Sequence, residues 1–261
     1  MQKTGFFIQS DGLDGMGKGV INDAIVDDLK QKGLRIFDLN EWWKTEHVHP
    51  DFSAINSKNK NYISSDSFDV LVTSEPTYAG IGLAIRQEII AKNGRDYSAH
   101  STAQAYALDR LILYSQVILP MLKLGKIVIQ SRGVSTSIVY QPLQKVIDGE
   151  ISPTIDEIMQ IEGNKLALNN AQNLLLIPTI KNVEEVMTRI SGREKDDDCQ
   201  FENLEFQLKI KPMYESAQLK KIFESRGTQV SYVDVGKSIE FTKKQAIQIY
   251  WQAMTNKGFK L

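Results

Sequence analysis

The 261-residue chain has a single cysteine, Cys199. One thiol cannot close an internal disulfide, and it excludes a zinc site built on several cysteines. Such sparing use suits a reducing compartment. An excess of charge is also missing: 31 Lys and Arg stand against 32 Asp and Glu, a formal net charge of -1. Proteins that grip nucleic acid or membrane surfaces usually carry a basic surplus, so neither partner is expected. Long apolar runs are absent as well. No stretch reaches the roughly 18 apolar residues of a spanning helix. The apolar part of MQKTGFFIQSDG, at the start, is too short for a secretory signal. The chain is therefore read as soluble and cytoplasmic. It has no internal repeat and no low-complexity segment.

What is present is a rhythm. Short apolar runs rich in β-branched residues alternate with helical stretches: FFIQS (6–10), LRIFDL (34–39), DVLVTS (69–74), KIVIQS (126–131), NLLLIP (173–178) and QVSYVDV (229–235). Helical pattern fills roughly 18–32, 80–92, 99–124, 154–170 and 241–256. Alternation of this kind predicts an α/β fold of right-handed βαβ units, with a parallel sheet covered on both faces. Residues 40–68 break the rhythm; they are polar and turn-rich without a clean period, and read as an insertion between two strands. His47, His49 and Asp51 lie there, more in keeping with a solvated surface than with a metal site.

Residues 12–19, GLDGMGKG, carry the spacing of a phosphate-gripping loop: Gly12, four residues, Gly17, Lys18. An apolar strand precedes it and a helical stretch follows, as that chemistry requires. Glycines let the backbone wrap closely around phosphate oxygens. The loop N–H groups and the helix N-terminus then face the anion, and Lys18 adds positive charge near the β- and γ-phosphates. Gly12, Gly15, Met16, Gly17, Lys18, Gly19 and Val20 are the expected nucleotide-binding residues. The position after the lysine normally offers a Ser or Thr hydroxyl to magnesium; Gly19 offers none. Magnesium keeps several waters and takes few protein ligands, so the loss bears more on the metal than on the phosphates.

Four segments in order resemble the thymidylate kinase family of P-loop nucleoside monophosphate kinases. They are SDGLDGMGKG (10–19), TSEPTYAGIGLAIRQEI (73–89), YALDRLILYSQVILPMLKLGKIVI (106–129) and SRGVSTSIVYQ (131–141). A fifth, weaker match runs over 189–215. The resemblance implies a three-layer α/β/α P-loop domain over 1–261, with a five-stranded parallel sheet and a lid at 191–202. It implies ATP and magnesium, a deoxynucleoside monophosphate such as dTMP as acceptor, and a homodimer. By position, Asp14 falls on the acidic residue that holds the sugar 3'-hydroxyl. Tyr106 falls on the aromatic that stacks on the base, and Arg110 on the arginine that hydrogen-bonds it. Arg132 falls on the arginine that binds the acceptor phosphate, where a guanidinium fork suits two oxygens. Ser137 lies near the base, Tyr140 beside the sugar 2' position, and Gln141 completes that motif. Glu75 and Pro76 shape the acceptor cleft. On the residues alone, Tyr106 reads equally as core, Asp109 and Arg110 as a surface ion pair, and Arg132 as a solvated strand end.

Departures from the family pattern gather at the chemistry. Gly19 lacks a hydroxyl, Ser131 stands for an aspartate, Gly133 for a tyrosine and Ser74 for an arginine. Magnesium is then expected on phosphate oxygens, with Asp14 as its nearest protein contact. Phosphoryl transfer depends on positioning and on charge at the γ-phosphate. Lys18, Arg132 and Arg193 are expected to supply it, with Arg189 a second lid candidate. The acidic run Asp196 to Asp198 reads as a solvated lid tip. The expected activity is transfer of the ATP γ-phosphoryl group to dTMP or a related monophosphate. Two other readings stay open: a catalytically weak nucleotide-binding regulatory protein, and a P-loop kinase for a nucleoside or modified base.

Overall fold

The computed structural model describes residues 5–53, 58–144, 151–181 and 204–261. Six strands form one all-parallel sheet: β1 (Phe6–Ser10), β2 (Ile36–Asp38), β3 (Val70–Ser74), β4 (Ile127–Ser131), β5 (Leu174–Thr179) and β6 (Gln229–Asp234), in the order β2-β3-β4-β1-β5-β6. The five-stranded expectation is thus corrected to six, because every one of the six apolar runs pairs. The extra pairing is at an edge, where β2 keeps only three residues, with Ile36 opposite Val70. The interior strands β1, β3 and β4 are buried almost end to end. That is why they read as continuous apolar runs rather than as alternating ones.

Side chains alternate across the sheet, so β1 shows both outer layers. Phe6 meets Phe259 beyond the C-terminal helix, with ring centroids 5.4 Å apart, whereas Phe7 meets Tyr114 at 6.1 Å. The first face carries α1 (Lys18–Gln31) and α11 (Ile239–Asn256), which pack together. The second carries α4 (Ala99–Leu113) and α6 (Val134–Tyr140). In chain order the other helices are α2 (Leu39–Glu46), α3 (Gly80–Ala84), α5 (Leu119–Lys123), α7 (Ile155–Gln160), α8 (Glu162–Asn169), α9 (Leu204–Tyr214) and α10 (Ala217–Glu224). The helix expected over 80–92 is α3 followed by a π turn, Ile85–Ile89. The long one over 99–124 is α4 and α5 joined by another, Tyr114–Ile118.

The described residues of the 40–68 stretch, 40–53 and 58–68, are less irregular than their composition predicts. Asp38 caps α2 by accepting from the Asn40 N–H at 2.8 Å. Leu39 and Trp43, one turn apart, bury completely beneath it. His47 closes the helix in a left-handed conformation. Asp51 then bridges to Tyr62, and Phe52 and Phe68 gather around Phe37. His49 packs edge-on against Trp43, and burial lowers its pKa to about 4. Among the described residues no three His, Cys, Asp or Glu converge as metal ligands. No helix of the described chain is long and apolar enough to cross a membrane.

Candidate active site

Ligands of open parallel sheets bind beyond the carboxyl ends of the strands. Here the ends of β1, β3 and β4 are laced together by main-chain bonds: the Arg132 N–H donates to the Ser10 carbonyl at 2.8 Å, and the Glu75 N–H to the Ser131 carbonyl at 2.9 Å. The loop from β1 to α1 turns through left-handed Gly15 and Gly17, a geometry that disfavours any Cβ. Met16 anchors it by burying in the core, so only its backbone is offered to a ligand. Lys18 Nζ lies along the loop, donating to the carbonyls of Leu13 at 2.7 Å and Gly12 at 3.0 Å. Val20, on the first turn of α1, is half-buried. A Cβ built on Gly19 would meet nothing within 4 Å, so no steric reason explains the missing hydroxyl.

Asp14, in that loop, is gripped from four directions. Arg132 Nη2 donates to its Oδ1, and Lys18 Nζ stands 3.9 Å from the same oxygen. Tyr140 and Gln207 donate to Oδ2 at 3.2 and 3.3 Å. Burial pushes the Asp14 carboxyl up, but the charges of Arg132 and Lys18 and the two hydrogen bonds outweigh it and hold the carboxyl below its ordinary value. Arg132 is a left-handed residue whose guanidinium stands 5.7 Å from the centroid of the Tyr140 ring. It is therefore no solvated strand end.

A second cluster lies beside the first. Arg110, on α4, is completely buried. Its Nη2 donates to Glu75 Oε2 at 2.5 Å and to Ser137 Oγ at 3.2 Å, and its Nη1 donates to Asn164 Oδ1 on α8. Asp109 is buried too and turns away, accepting from the Thr77 N–H and hydroxyl at 2.8 and 2.7 Å. The surface ion pair of Asp109 with Arg110 is thereby excluded. Burial raises the Glu75 carboxyl to about 7, even though the Arg110 charge opposes it. Pro76 is held through its carbonyl by Arg86 Nη2 at 2.5 Å. Tyr106 lies one helical turn before Arg110, buried, and is not among the side chains of the continuous apolar core. Ser137, Tyr140 and Gln141 bury along α6 and its end. The Gln141 Oε1 and Arg110 Nε atoms have no partner among the described residues. The Gln130 amide joins the clusters, donating at 2.8 Å to Glu75 Oε1 and to the Arg132 carbonyl.

Seven of the expected residues thus converge: Lys18, Asp14, Arg132 and Tyr140 in one contact set, and Glu75, Arg110 and Ser137 in the other. Arg193, Arg189 and the 191–202 segment lie outside the described residues. The motifs did not single out Asp11, Gln207, Asn164, Gln9 or Gln130. Asp11 is fully buried and accepts from Thr136 Oγ1 at 2.8 Å, from Tyr214 OH at 2.9 Å and from Ser135 Oγ, which ties the loop to α6 and α9. Its signal in the sequence was an acid at a strand end; the others are polar residues whose partners are remote in the chain.

The described residues fit a nucleotide better than a metal. Glycine turns and a lysine form the cradle that polyphosphate needs. The carboxylates of Asp11 and Asp14 already accept from neighbouring donors, and Gly19 carries no hydroxyl, so none of these three stands open to magnesium.

Comparison with known proteins bears on the family and the fold. A family model described as Thymidylate kinase matches residues 55–246. A thymidylate kinase of Campylobacter concisus is 25% identical over 185 residues, covering 70% of this chain and 86% of that protein. One of Exiguobacterium is 24% identical over 244 residues, covering 94% and 93%. Among solved structures, the thymidylate kinase of Candida albicans superposes with a TM-score of 0.56 at 19% identity, covering 98% of this chain and 94% of that one. At that identity the likeness is one of fold.

Proposed function

Because the chain belongs to the thymidylate kinase family, and so to the nucleoside monophosphate kinases, we propose that it transfers the γ-phosphoryl group of ATP to dTMP or a closely related deoxynucleoside monophosphate. The product is the diphosphate. The observation that carries the reading is the joining of Asp14, Arg132 and Tyr140 at the end of the phosphate loop. A generic phosphate loop needs no such acceptor side.

The loop N–H groups and Lys18 hold the ATP phosphates, and Lys18 leaves the Leu13 and Gly12 carbonyls to do so. Arg132 takes the acceptor phosphate bidentately. Asp14, kept ionised by its neighbours, accepts from the sugar 3'-hydroxyl. The Tyr140 ring crowds the 2' position and favours deoxyribose. Tyr106 stacks on the base, and Arg110, fixed by Glu75 and Asn164, donates to its edge. Gln141 Oε1 and Arg110 Nε are the orphan polar atoms such an edge would satisfy. Glu75 and Pro76 form the wall of the cleft. Arg193 is carried in the proposal as the lid charge on the transferring group. Magnesium arrives with ATP, on phosphate oxygens and water. A cytoplasmic homodimer is part of the same reading, supported by the family and tested by sedimentation.

A coupled ADP-release assay with dTMP, dUMP, dCMP and dAMP tests the reaction. Turnover greatest with dTMP is expected. Nucleotide binding with no turnover on any monophosphate would instead establish the weakly catalytic reading.

A further inference from the structure

Helix α9 reaches the phosphate loop with two polar side chains. Gln207 and Tyr214 are seven residues apart, two helical turns, and so share a face. Tyr214 donates to Asp11. Gln207 makes a two-point clamp on Asp14: its Oε1 accepts the Asp14 N–H at 3.0 Å and its Nε2 donates to Asp14 Oδ2 at 3.3 Å. The amide is fully buried, so its polar atoms depend on protein partners. One side chain thus fixes both the backbone and the carboxylate of the same loop residue, from 193 positions away.

The geometry assigns Gln207 as a positioning residue that sets the Asp14 carboxylate for the acceptor sugar. This rests on the kinase reading above for what Asp14 binds, but not for the clamp itself. Asp14 Oδ1 faces two cations, Arg132 and Lys18, which draw the carboxylate toward the phosphate side. Gln207 and Tyr140 donate to Oδ2, and of these two Gln207 also holds the Asp14 main chain. Removing the amide takes a donor from Oδ2 and the restraint from the Asp14 main chain, so the ionised carboxylate is both less stabilised and no longer fixed for the sugar.

The test uses Gln207→Leu, Gln207→Met and Gln207→Glu in the full chain, with Leu208→Ala on the exposed side of the same helix as control. In Gln207→Leu and Gln207→Met, KM for dTMP rises about ten-fold, the effect of one lost hydrogen bond to a charged group, while KM for ATP stays within about two-fold. Gln207→Glu keeps the shape but turns an oxygen toward Asp14 Oδ2, and is hit harder than Gln207→Leu. A packing role predicts the reverse order, since Glu is the closer isostere. Independently of turnover, ¹³C NMR titration of the Asp14 carboxyl moves upward in pH in Gln207→Leu. An unmoved titration, or a milder effect of Gln207→Glu than of Gln207→Leu on dTMP KM, overturns the assignment. Loss of the kinase reading itself shows separately, as absence of turnover in the unaltered protein, and leaves the titration to judge the clamp.

Discussion

Glu75 provides a test of the buried cluster that does not depend on substrate. Its carboxyl is 2% exposed and raised by burial from 4.5 to about 7, with the Arg110 guanidinium only partly offsetting that cost. A carboxyl that binds its proton more tightly in the folded state contributes stability below its unfolded pKa. That stability is lost as pH rises toward the folded value, here between about 4.5 and about 7. At about 1.4 kcal/mol per pH unit, the loss between pH 5 and 8 is on the order of 2–3 kcal/mol. Glu75→Gln removes the titration and preserves the shape. The new amide oxygen still accepts from Arg110, while its NH₂ comes to stand opposite the Gln130 Nε2 that had donated to Glu75 Oε1, a cost that does not vary with pH. Urea unfolding of both proteins at pH 5, 6, 7 and 8 gives the difference between them, in which titrating groups that do not interact with Glu75 cancel. The unaltered protein is expected to lose on the order of 2–3 kcal/mol relative to Glu75→Gln over that range. A difference that stays level, or that grows with pH, would show that the ion pair with Arg110 outweighs burial and refute the reasoning.

Gly133→Ala places a Cβ 2.7 Å from Gln9 Oε1 and so costs about 1–3 kcal/mol in urea unfolding; Gln9→Ala in the same chain recovers much of it, and simple additivity of the two would count against the contact. A Cβ at position 19 meets nothing within 4 Å and threonine favours the helix over glycine, so the melting temperature of Gly19→Thr is expected to hold or rise slightly. If the restored hydroxyl reaches the metal, half-maximal rate comes at several-fold lower magnesium; an unchanged magnesium response would mean that the metal stands elsewhere.

How far these features could be read in the sequence depended on how local their physics is. The strands were legible because parallel strands buried on both faces are written as unbroken apolar runs, as in FFIQS. Tyr106 and Arg110 could be placed on one helix face from their spacing alone. Helix α2 was not legible: its period is carried by Leu39 and Trp43 only, and its real signal is the Asp38 cap. The surroundings of Arg110 were hidden as well. An Asp-Arg dipeptide on a helix reads as surface, yet the partner is Glu75, 35 residues away, at a strand end that only the sheet brings near. Gln207 carried no signal, since a lone glutamine gains meaning only from the loop against which α9 packs.

The departures from the family pattern are not equivalent once their neighbours are known. Ser74, where an arginine is usual, donates to Asn40 Oδ1 at 2.6 Å, so it joins β3 to the first turn of α2. Gly133, where a tyrosine is usual, leaves room for the Gln9 amide; that amide donates to Ser135 Oγ at 2.7 Å, and Ser135 donates in turn to Asp11. These two changes are built into networks with partners supplied from elsewhere in this chain. Restoring either residue alone would bury a side chain against a neighbour already in place. Gly19 differs, because a Cβ added there meets nothing within 4 Å. Its missing hydroxyl is therefore separable from the rest of the site, and Gly19→Thr changes the metal side of the loop without disturbing the acceptor side built on Asp14, Arg132 and Tyr140.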